Sequence, residues 1–396
     1  MNQKKSLRNC PICQEENGEI IHTQNFVLPE GHPLSNGYDI LCCDRCGFVY
    51  ADTTVSQKDY DVFYAKLSKY EDKKTATGGG ESPYDAARLQ KTAECIAEFL
   101  PDKSVRILDI GCANGGLLGY LKKLGYNNLC GLDPSPACVE NTKQKYDIET
   151  YTGSMFELPH SLGVFDVIIL SHVLEHIQDV STALTNLKDI LDKNGILYAE
   201  VPDAKRYLNF YVSPFHYFDT EHINHFSLKF LEKLLMLANF TIIGRGEKEF
   251  ELHSGTIYPA IWVMARLLNR KIPLNLDLDS ELCNNIIKYL KHSEEYLDTQ
   301  AIDELVLNCE KIIVWGIGSS TMRLLANSSL SQANIIAFVD SNPKYWGEYL
   351  MDKPIISPEE LKKKTETILI TSKIYSQEIL TQIINELNLK NKVVSA

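Results

Sequence analysis

Two closely spaced cysteine pairs near the N-terminus constrain the first part of the chain. They are Cys10-Pro-Ile-Cys13 and Cys43-Asp-Arg-Cys46. A reduced C-x-x-C pair can place both thiolates on one tetrahedral metal ion, and two such pairs complete the four-sulfur site of structural zinc modules. Four sulfur ligands leave no open position for a substrate. We therefore predict a structural zinc ion that takes the place of a hydrophobic core in this region.

The second pair has an alternative first member, because Cys42 also has a possible ligand spacing to Cys46. We favour Cys43, since Gly47 directly after the pair permits the tight turn in which backbone N–H groups face the sulfur atoms. Unpaired core cysteines are the simpler alternative to a metal site. Reduced thiolates indicate a reducing compartment, and no apolar stretch follows the N-terminus, so we expect a cytoplasmic protein.

Length and charge restrict the kind of protein. With 396 residues, of which 44% are hydrophobic, the chain can bury more than one core, so two or three domains are expected. The formal net charge of −12 argues against a nucleic-acid partner. No run approaches the ~20 apolar residues of a membrane helix, so we expect no membrane contact. A small molecule is the expected binding partner.

Strands and helices alternate from residue 105 onwards, which predicts a parallel sheet with helices on both faces and hence an α/β fold. The predicted strands are 105–110, 129–133, 165–171, 195–201 and 241–244, and the predicted helices are 85–99, 115–124, 136–146, 180–191 and 229–238.

Two later stretches differ from this alternation. Residues 257–310 read as helical, with an acidic, proline-marked break at 271–279. A second, smaller Rossmann-like region follows, with predicted strands at 312–315, 335–340 and 367–371. We expect three parts: a zinc-binding module with an aromatic segment (1–75), a cofactor domain (76–250), and a helical connector with the smaller Rossmann-like domain (251–396). The glycine-rich segment 75–83 separates the first two.

A glycine-rich turn, Leu108-Asp-Ile-Gly-Cys-Ala-Asn-Gly-Gly116, joins the first of these strands to a helix. Gly111 and Gly115 permit a sharp turn and a close approach of the backbone to a ligand. The next strand ends in Asp133, about twenty residues on, where a carboxylate can accept hydrogen bonds from both hydroxyls of a ribose. A nucleotide cofactor is expected at this turn.

The acidic residues of this turn favour S-adenosylmethionine over NAD. Asp109 precedes the first glycine, and the turn lacks the G-x-G-x-x-G spacing that binds a pyrophosphate. Asp109 and Asp133 together suit a cofactor that carries a ribose, an ammonium group and a sulfonium group but no phosphate.

The sequence L-D-I-G-C-A-N-G-G followed by G-L-D-P-S resembles motifs I and II of class I methyltransferases, and residues 165–176 resemble their fourth strand and the turn after it. The resemblance implies that Asp109 contacts the methionine part of S-adenosylmethionine and that 153–156 flank its adenine. Ser154 stands where many relatives have an aspartate for the adenine amino group. The expected cofactor-binding residues are Asp109, Gly111, Cys112, Gly115, Asp133, Pro134, Ser154, Met155, Phe156, Ser171 and His172.

The end of this match, His172-Val-Leu-Glu-His176, also fits the H-x-x-E-H pattern of zinc peptidases. The motif closes a buried strand of a cofactor domain, however, and no third ligand is evident downstream. We therefore favour the methyltransferase interpretation.

Titratable and aromatic residues alternate between 214 and 226 and include His216, Asp219, Glu221, His222 and His225. A histidine beside a carboxylate can be held in one tautomer and act as a base near neutral pH. The segment follows a sheet strand, which places it near the edge where ligands bind. A polar helix cap with buried histidines is the simpler alternative.

The arrangement as a whole resembles the nucleotide-sugar C-methyltransferases of deoxysugar pathways, which combine a zinc module, a methyltransferase domain and a C-terminal Rossmann-like domain. The C-terminal match lies in 314–320, 338–343 and 354–361. The family carries proton transfer on a Glu-His pair, which corresponds here to Glu221 and His222. His225 and Asp219 stand where the family has tyrosines, and His176 matches another active-site histidine.

This resemblance implies a zinc-containing, S-adenosylmethionine-dependent methyltransferase that acts on a nucleotide-activated sugar or a related polar metabolite. In C-methylation, His222, steadied by Glu221, would remove a proton alpha to a ketone, and His176 or His225 would stabilise the enolate oxygen. Two alternatives stay open: O-methylation, in which the same base deprotonates a hydroxyl, and a non-catalytic zinc-ribbon scaffold with a vestigial cofactor fold.

Overall fold

The computed structural model describes residues 3–67, 78–253, 255–268 and 277–396. The chain divides into two compact units. The first unit comprises residues 1–21, 40–210 and 221–288, and the second comprises 22–39, 211–220 and 289–396. The predicted boundary at 75/76 lies outside the described residues, as does most of the predicted break at 271–279.

The strands are β1 (Gln3–Lys5), β2 (Asn17–Asn25), β3 (Gly37–Cys43), β4 (Val49–Asp52), β5 (Ile107–Ile110), β6 (Leu129–Asp133), β7 (Glu149–Thr152), β8 (Phe165–Ser171), β9 (Leu191–Pro202), β10 (Asn224–His225), β11 (Phe240–His253), β12 (Thr256–Leu267), β13 (Lys311–Trp315), β14 (Asn334–Val339), β15 (Tyr349–Leu350), β16 (Lys353–Ile356), β17 (Thr367–Ile370) and β18 (Val393–Ser395). The α-helices are α1 (Gln57–Leu67), α2 (Pro83–Ala97), α3 (Gly116–Lys123), α4 (Pro136–Tyr146), α5 (Val180–Asn186), α6 (Leu228–Leu237), α7 (Ser280–Glu295), α8 (Gln300–Leu307), α9 (Ser319–Asn327) and α10 (Ser376–Thr381).

The cofactor sheet has seven strands in the order β11-β12-β9-β8-β5-β6-β7. Strands β9, β8, β5, β6 and β7 are parallel to one another. All four residues of β5 are buried, as expected for a parallel strand covered by helices on both faces. The α/β architecture predicted from the alternation of strands and helices is confirmed, and the carboxyl ends of β5, β6 and β8 meet at one edge of this sheet.

The interpretation of 257–268 as helical is wrong. These residues form β12, which pairs antiparallel with both β11 and β9 and so extends the cofactor sheet. The apolar run is short and rich in β-branched and aromatic residues, and such a run cannot be assigned to helix or strand from periodicity alone. The helix predicted at 180–191 also ends early, since α5 stops at Asn186 and β9 begins at Leu191.

A second, five-stranded sheet has the order β1-β2-β3-β4-β10. Strand β10 comes from far along the chain and pairs antiparallel with β4, with Asn224 opposite Tyr50 and His225 opposite Val49. This pairing attaches the segment with the candidate catalytic residues to the N-terminal region of the same unit.

The C-terminal sheet has the order β15-β16-β14-β13-β17-β18. Strands β13, β14, β16, β17 and β18 are parallel, which agrees with the predicted Rossmann-like region. Strands β14 and β16 lie on one side of β13, and β17 and β18 lie on the other side, so the strand order reverses at β13. Ligands in open parallel sheets bind at such a switch point, beyond the carboxyl ends of the strands. Within the described ranges, no helix is both long enough and apolar enough to span a membrane.

Candidate functional site

The structure brings the four predicted zinc ligands together. Cys10 Sγ lies 3.6 Å from Cys46 Sγ, and Cys13 Sγ lies 3.4 Å from Cys43 Sγ. All four side chains are buried, and their sulfur atoms lie within 4.8 Å of one another. Sulfur atoms at Zn–S distances of 2.3 Å around a tetrahedral ion would be about 3.8 Å apart, so the arrangement fits a zinc ion.

Cys42 lies outside this group of sulfur atoms. Its thiol points to the carbonyl oxygen of Gly47, at 3.9 Å, and hydrogen-bonds with Cys283. Gly47 has a φ of 80°, and its N–H donates to the carbonyl of Cys43 at 2.9 Å. The backbone turn therefore directs the side chain of Cys43 towards the other three sulfur atoms.

The glycine-rich turn after β5 has the close packing that a nucleotide cofactor requires. Gly111 and Gly115 have φ angles of 72° and 73°, which side-chain-bearing residues rarely adopt. A Cβ atom at Gly115 would lie 2.4 Å from Cγ2 of Thr142, and one at Gly111 would lie 2.8 Å from Cγ2 of Val173. The second distance also shows that the turn after β8 directly contacts the cofactor turn.

Two buried aspartates flank this turn. One carboxylate oxygen of Asp133 accepts from the N–H of Ala113 at 2.8 Å, and the other accepts from the N–H of Ser135 at 2.9 Å. Burial, together with the negative charge of Asp133, raises the pKa of Asp109 to about 8. Both side chains are less than a tenth exposed. A cationic ligand placed beside Asp109 would stabilise its ionised form.

A carboxylate approaches Ser154 from a helix that motif reasoning did not associate with the cofactor. Oδ2 of Asp61, on α1, lies 3.4 Å from Oγ of Ser154, and burial raises the pKa of Asp61. An acidic group is thus present beside the position where many class I methyltransferases have an aspartate. No local sequence pattern could have indicated it, since residues 61 and 154 meet only in the folded chain.

The remaining predicted cofactor residues lie at the same sheet edge. Cys112 and Met155 are buried, and Phe156 donates its N–H to Oγ of Ser154 at 3.3 Å. Pro134 follows β6 and is partly exposed. Oγ of Ser171, the last residue of β8, is buried and has no hydrogen-bond partner within the described ranges.

The glycine segment before α2 packs on the cofactor turn, which the sequence did not predict. Gly78 and Gly80 donate their N–H groups to Oδ2 of Asp85 at 2.8 Å each. The carbonyl of Gly78 accepts from the N–H of Gly116 at 2.9 Å. Asp85 therefore holds this segment against the start of α3.

A second group of titratable side chains follows β8. The rings of His176 and His222 have centroids 4.8 Å apart, and Nε2 of His176 lies 3.9 Å from a carboxylate oxygen of Glu175. Glu175 is 1% exposed, and its role was missed by the sequence prediction. Burial alone would raise the pKa of Glu175, but the hydrogen bond with His172 and the nearby histidines lower it, so its carboxylate is held ionised.

His172, expected to contact the cofactor, takes part in a buried charge network. Its Nδ1 lies 3.1 Å from Glu175 and its Nε2 lies 3.2 Å from Glu200. Glu200 in turn forms an ion pair with Lys248 and accepts a hydrogen bond from the hydroxyl of Tyr198. The two carboxylates outweigh the effect of burial and raise the pKa of His172. Both histidines of H-x-x-E-H therefore face Glu175, whereas in a zinc peptidase they face the metal ion.

Glu221 and His225 are both buried, but in different surroundings. The carboxylate of Glu221 accepts from the hydroxyl of Tyr64 at 3.2 Å, and its backbone carbonyl accepts from Nδ1 of His176 at 3.0 Å. His225 lies on β10, where its Nδ1 is 3.4 Å from the hydroxyl of Tyr207. The proposed support of His222 by Glu221 stays a prediction. His216 and Asp219 belong to the second unit.

The second unit contains a cavity of about 210 Å³. Its lining includes Ser320 near the start of α9, and Thr371 and Lys373 after β17. It therefore lies at the switch point of the C-terminal sheet. Arg323, on α9, also lines it although it is only 7% exposed. Its Nε donates to Gln24, and its Nη2 donates to the carbonyls of Phe215 and Phe218.

The family described as "Methyltransferase domain" matches residues 84–244. Residues 84–244 are a methyltransferase domain. The family described as "C2185-like, N-terminal" matches residues 308–394.

Curated relatives of the methyltransferase domain differ in the atom that their names give as methylated. The ubiquinone biosynthesis O-methyltransferase of Azorhizobium caulinodans is 32% identical over 102 residues, which are 24% of this chain and 40% of that enzyme. Ajmaline N-methyltransferase of Rauvolfia serpentina is 33% identical over 120 residues, 26% of this chain and 39% of that enzyme. The chain thus spans about two fifths of the length of these relatives.

Solved structures similar to the chain include a SAM-dependent methyltransferase from Methanosarcina mazei, at 20% identity and a TM-score of 0.38, which covers 44% of this chain and 98% of that one. The N-methyltransferase NodS of Bradyrhizobium japonicum, in complex with S-adenosyl-L-homocysteine, is 17% identical with a TM-score of 0.36 and covers 47% of this chain and 88% of that one.

Proposed function

We propose that the protein is an S-adenosylmethionine-dependent methyltransferase that methylates a carbon of a nucleotide-activated sugar or a related small polar metabolite. The main support is the meeting of two groups at one sheet edge. The cofactor turn, with Asp109 and Asp133, follows β5 and β6, and a buried histidine and carboxylate group follows the neighbouring strand β8. A vestigial scaffold would have no need to keep both.

The cofactor, when bound, supplies a methyl group on a positively charged sulfur. In this proposal Asp133 would accept hydrogen bonds from the ribose hydroxyls, and Asp109 would provide a negative charge for the ammonium or sulfonium group. Asp61 and Ser154 provide oxygen acceptors for the adenine amino group. These assignments suit a ligand without phosphate, because the turn lacks the G-x-G-x-x-G spacing that binds a pyrophosphate.

Proton transfer is assigned to the group after β8. His222 takes the proton alpha to the ketone of the acceptor, and His176 or His225 stabilises the resulting enolate oxygen. His176 donates from Nδ1 to the carbonyl of Glu221, which leaves Nε2 as the nitrogen that faces Glu175 and His222. The main acceleration comes from the alignment of the carbon nucleophile, the methyl carbon and the sulfur.

The other regions receive supporting roles in this proposal. The four-cysteine group holds a structural zinc ion. The second unit is assigned a scaffold role, because its cavity is lined by Glu294 and Asp298 as well as by Arg323 and Lys373, which disfavours a diphosphate.

O-methylation is the second candidate, because one relative's name specifies an oxygen acceptor. The same base would then remove a hydroxyl proton. Incubation of the enzyme with a nucleotide-sugar pool and methyl-labelled cofactor, followed by mass spectrometry and NMR of the product, identifies both the acceptor and the methylated atom.

The test of the proton-transfer assignment is His222→Ala, with the exposed His160→Ala as a matched control. A positioned base contributes about 10²- to 10⁴-fold in rate, so His222→Ala should lower turnover by about that factor and leave S-adenosylhomocysteine affinity unchanged. Glu221→Gln should lower turnover less, because it loosens the imidazole without removing it.

Two results would contradict this assignment. Normal turnover by His222→Ala together with inactivity of His176→Ala or His225→Ala would place the base elsewhere. Absence of S-adenosylhomocysteine binding by the wild-type protein would favour the non-catalytic scaffold.

A further inference from the structure

We propose that Glu175, His176 and His222 form a binding site for a divalent transition-metal ion such as Zn²⁺, separate from the four-cysteine site. We further propose that metal binding and proton transfer by His222 exclude each other. This second statement rests on the proposed function, whereas the metal site itself does not.

The three side chains converge from two distant parts of the sequence. One ligand atom from each lies within 4.8 Å of the others, and Oε1 of Glu175 lies 3.9 Å from Nε2 of His176. Tetrahedral coordination with Zn–N distances of 2.0–2.1 Å places ligand atoms about 3.3 Å apart. The ligand atoms therefore need to approach one another by up to about 1.5 Å around an ion. The partly exposed His222 lies in a loop between elements, where such a shift is least hindered.

The donor set matches the chemistry of a transition metal. Two imidazoles and one carboxylate bind zinc in hydrolytic enzymes, and three protein ligands leave at least one coordination position open. Magnesium and calcium prefer oxygen ligands, so they should bind poorly to a site with two nitrogens.

The contacts behind these side chains resemble the outer shell of a metal site. Nδ1 of His176 donates to the backbone carbonyl of Glu221 at 3.0 Å, and this bond turns Nε2 towards the other two groups. Oε1 of Glu175, the oxygen that lies near His176, also faces Nδ1 of His172 at 3.1 Å. The other oxygen, Oε2, is buried and has no hydrogen-bond partner within the described ranges.

That oxygen needs a partner, because a buried carboxylate oxygen without a hydrogen bond is costly. A metal ion bound by the two histidines and by both carboxylate oxygens of Glu175 would supply it. An imidazole nitrogen that binds a metal has no lone pair left to accept a proton. Occupancy of this site would therefore block His222 as a base, and metal ions would inhibit methyl transfer by competing with the proton.

The experiment counts metal ions in the full-length protein after equilibrium dialysis against Zn²⁺, and repeats the dialysis with Co²⁺. Wild type and the exposed His160→Ala control should bind one ion per chain more than Glu175→Gln and His222→Ala do. Loss of an outer-shell contact typically weakens a metal about 10- to 100-fold, so loss of a ligand should exceed that factor. Melting curves establish that the variants are folded, and Glu175→Gln conserves the shape of the side chain.

Co²⁺ separates the two sites spectroscopically, since sulfur ligands give intense charge-transfer bands and the proposed site has no sulfur. A wild-type protein that binds no ion beyond the four-cysteine site would overturn the proposal, as would a second ion retained by both variants. Inhibition of wild-type methyl transfer by Zn²⁺ at the same concentration as binding supports the exclusion, and stimulation would overturn it. The metal count remains decisive for the site even if no acceptor is methylated.

Discussion

At the scale of single residues, Asp133 has two functions in the cofactor turn. Its two carboxylate oxygens accept from the N–H groups of Ala113 and Ser135, which shapes the turn after β5 and the start of α4. The same carboxylate stands at the end of β6, where a ribose would bind. Its replacement should therefore affect the backbone of the site as well as the contact with the ligand.

Asp133→Ala should weaken S-adenosylhomocysteine binding by about 1–3 kcal/mol, the usual cost of buried polar groups that lose their partners. That corresponds to about 5- to 150-fold in the dissociation constant measured by calorimetry. Asp133→Asn keeps one acceptor oxygen and should therefore lose less affinity than Asp133→Ala. Unchanged affinity in both variants would mean that the ribose binds elsewhere.

Asp109 should make the stability of the cofactor-free protein depend on pH. Its folded pKa of about 8 lies above the usual value, so the folded state keeps a proton that the unfolded chain releases. The stabilising contribution is complete below about pH 4 and is lost as the pH rises towards about 8.

Between pH 5 and pH 8, wild type should therefore lose unfolding free energy relative to Asp109→Asn. The loss should be at most about 1.4 kcal/mol per pH unit. Urea unfolding across this range measures it. Asp192→Asn, at an exposed position, serves as the control. Its unfolding free energy plotted against pH should run parallel to that of wild type. Parallel curves for Asp109→Asn would show that Asp109 titrates normally.

At the scale of elements, the glycine segment before α2 belongs to the cofactor site. Its residues Gly78 and Gly80 are bound to Asp85, and Gly78 is bound in turn to Gly116 at the first turn of α3. Asp85 is buried and also pairs with Arg88 on the same helix. One carboxylate thus links α2, the glycine segment and the cofactor turn.

Asp85→Ala should lower S-adenosylhomocysteine affinity by about 1 kcal/mol or more, because it removes the acceptor for two backbone N–H groups. Glu81→Ala in the same segment removes only the ion pair with Lys145, which is partly exposed, and should change affinity by less than about 0.5 kcal/mol. Calorimetry measures both. A lower melting temperature of Asp85→Ala with unchanged affinity would limit Asp85 to a structural role.

At the scale of the whole molecule, the N-terminal region depends on its four cysteines. The pairs Cys10/Cys13 and Cys43/Cys46 lie on separate turns, and a shared ion would connect them in addition to backbone contacts such as that from the N–H of Asp44 to the carbonyl of Asn17. Strand β4, next to the second pair, also carries β10 and with it the segment of His222 and His225. Loss of the metal should therefore disturb the candidate catalytic segment as well.

Cys43→Ser should lower the zinc content from about one ion per chain to near zero and reduce the melting temperature, because zinc binding contributes directly to folding in such modules. Cys42→Ser is the matched control, since its thiol lies outside the group, and it should keep the metal. Elemental analysis and thermal melts provide the readouts. Zinc retained by Cys43→Ser but lost by Cys42→Ser would reverse the assignment of the ligand.

The predictions from sequence were most accurate where the signal is local. Strands β6 and β8 and helix α4 have the predicted bounds, because an apolar run or a Ser-Pro start marks each of them within a few residues. Strand β12 was mistaken for a helix, since its apolar residues fit either structure until its neighbours in the sheet are known. The roles of Glu175, Asp61 and Asp85 were not foreseen, because each depends on a partner from another element.

The sequence by itself therefore determined the features that depend on residues close together in the chain. These are the cysteine pairs, the glycine turn and the acidic strand end at Asp133. Only the tertiary structure decided which distant groups share a site. It placed Glu175 beside His176 and His222, two histidines that the family resemblance had already assigned to one active site. The physical reason is that spacing along the chain dictates local backbone geometry, whereas the convergence of side chains depends on how strands order themselves in a sheet.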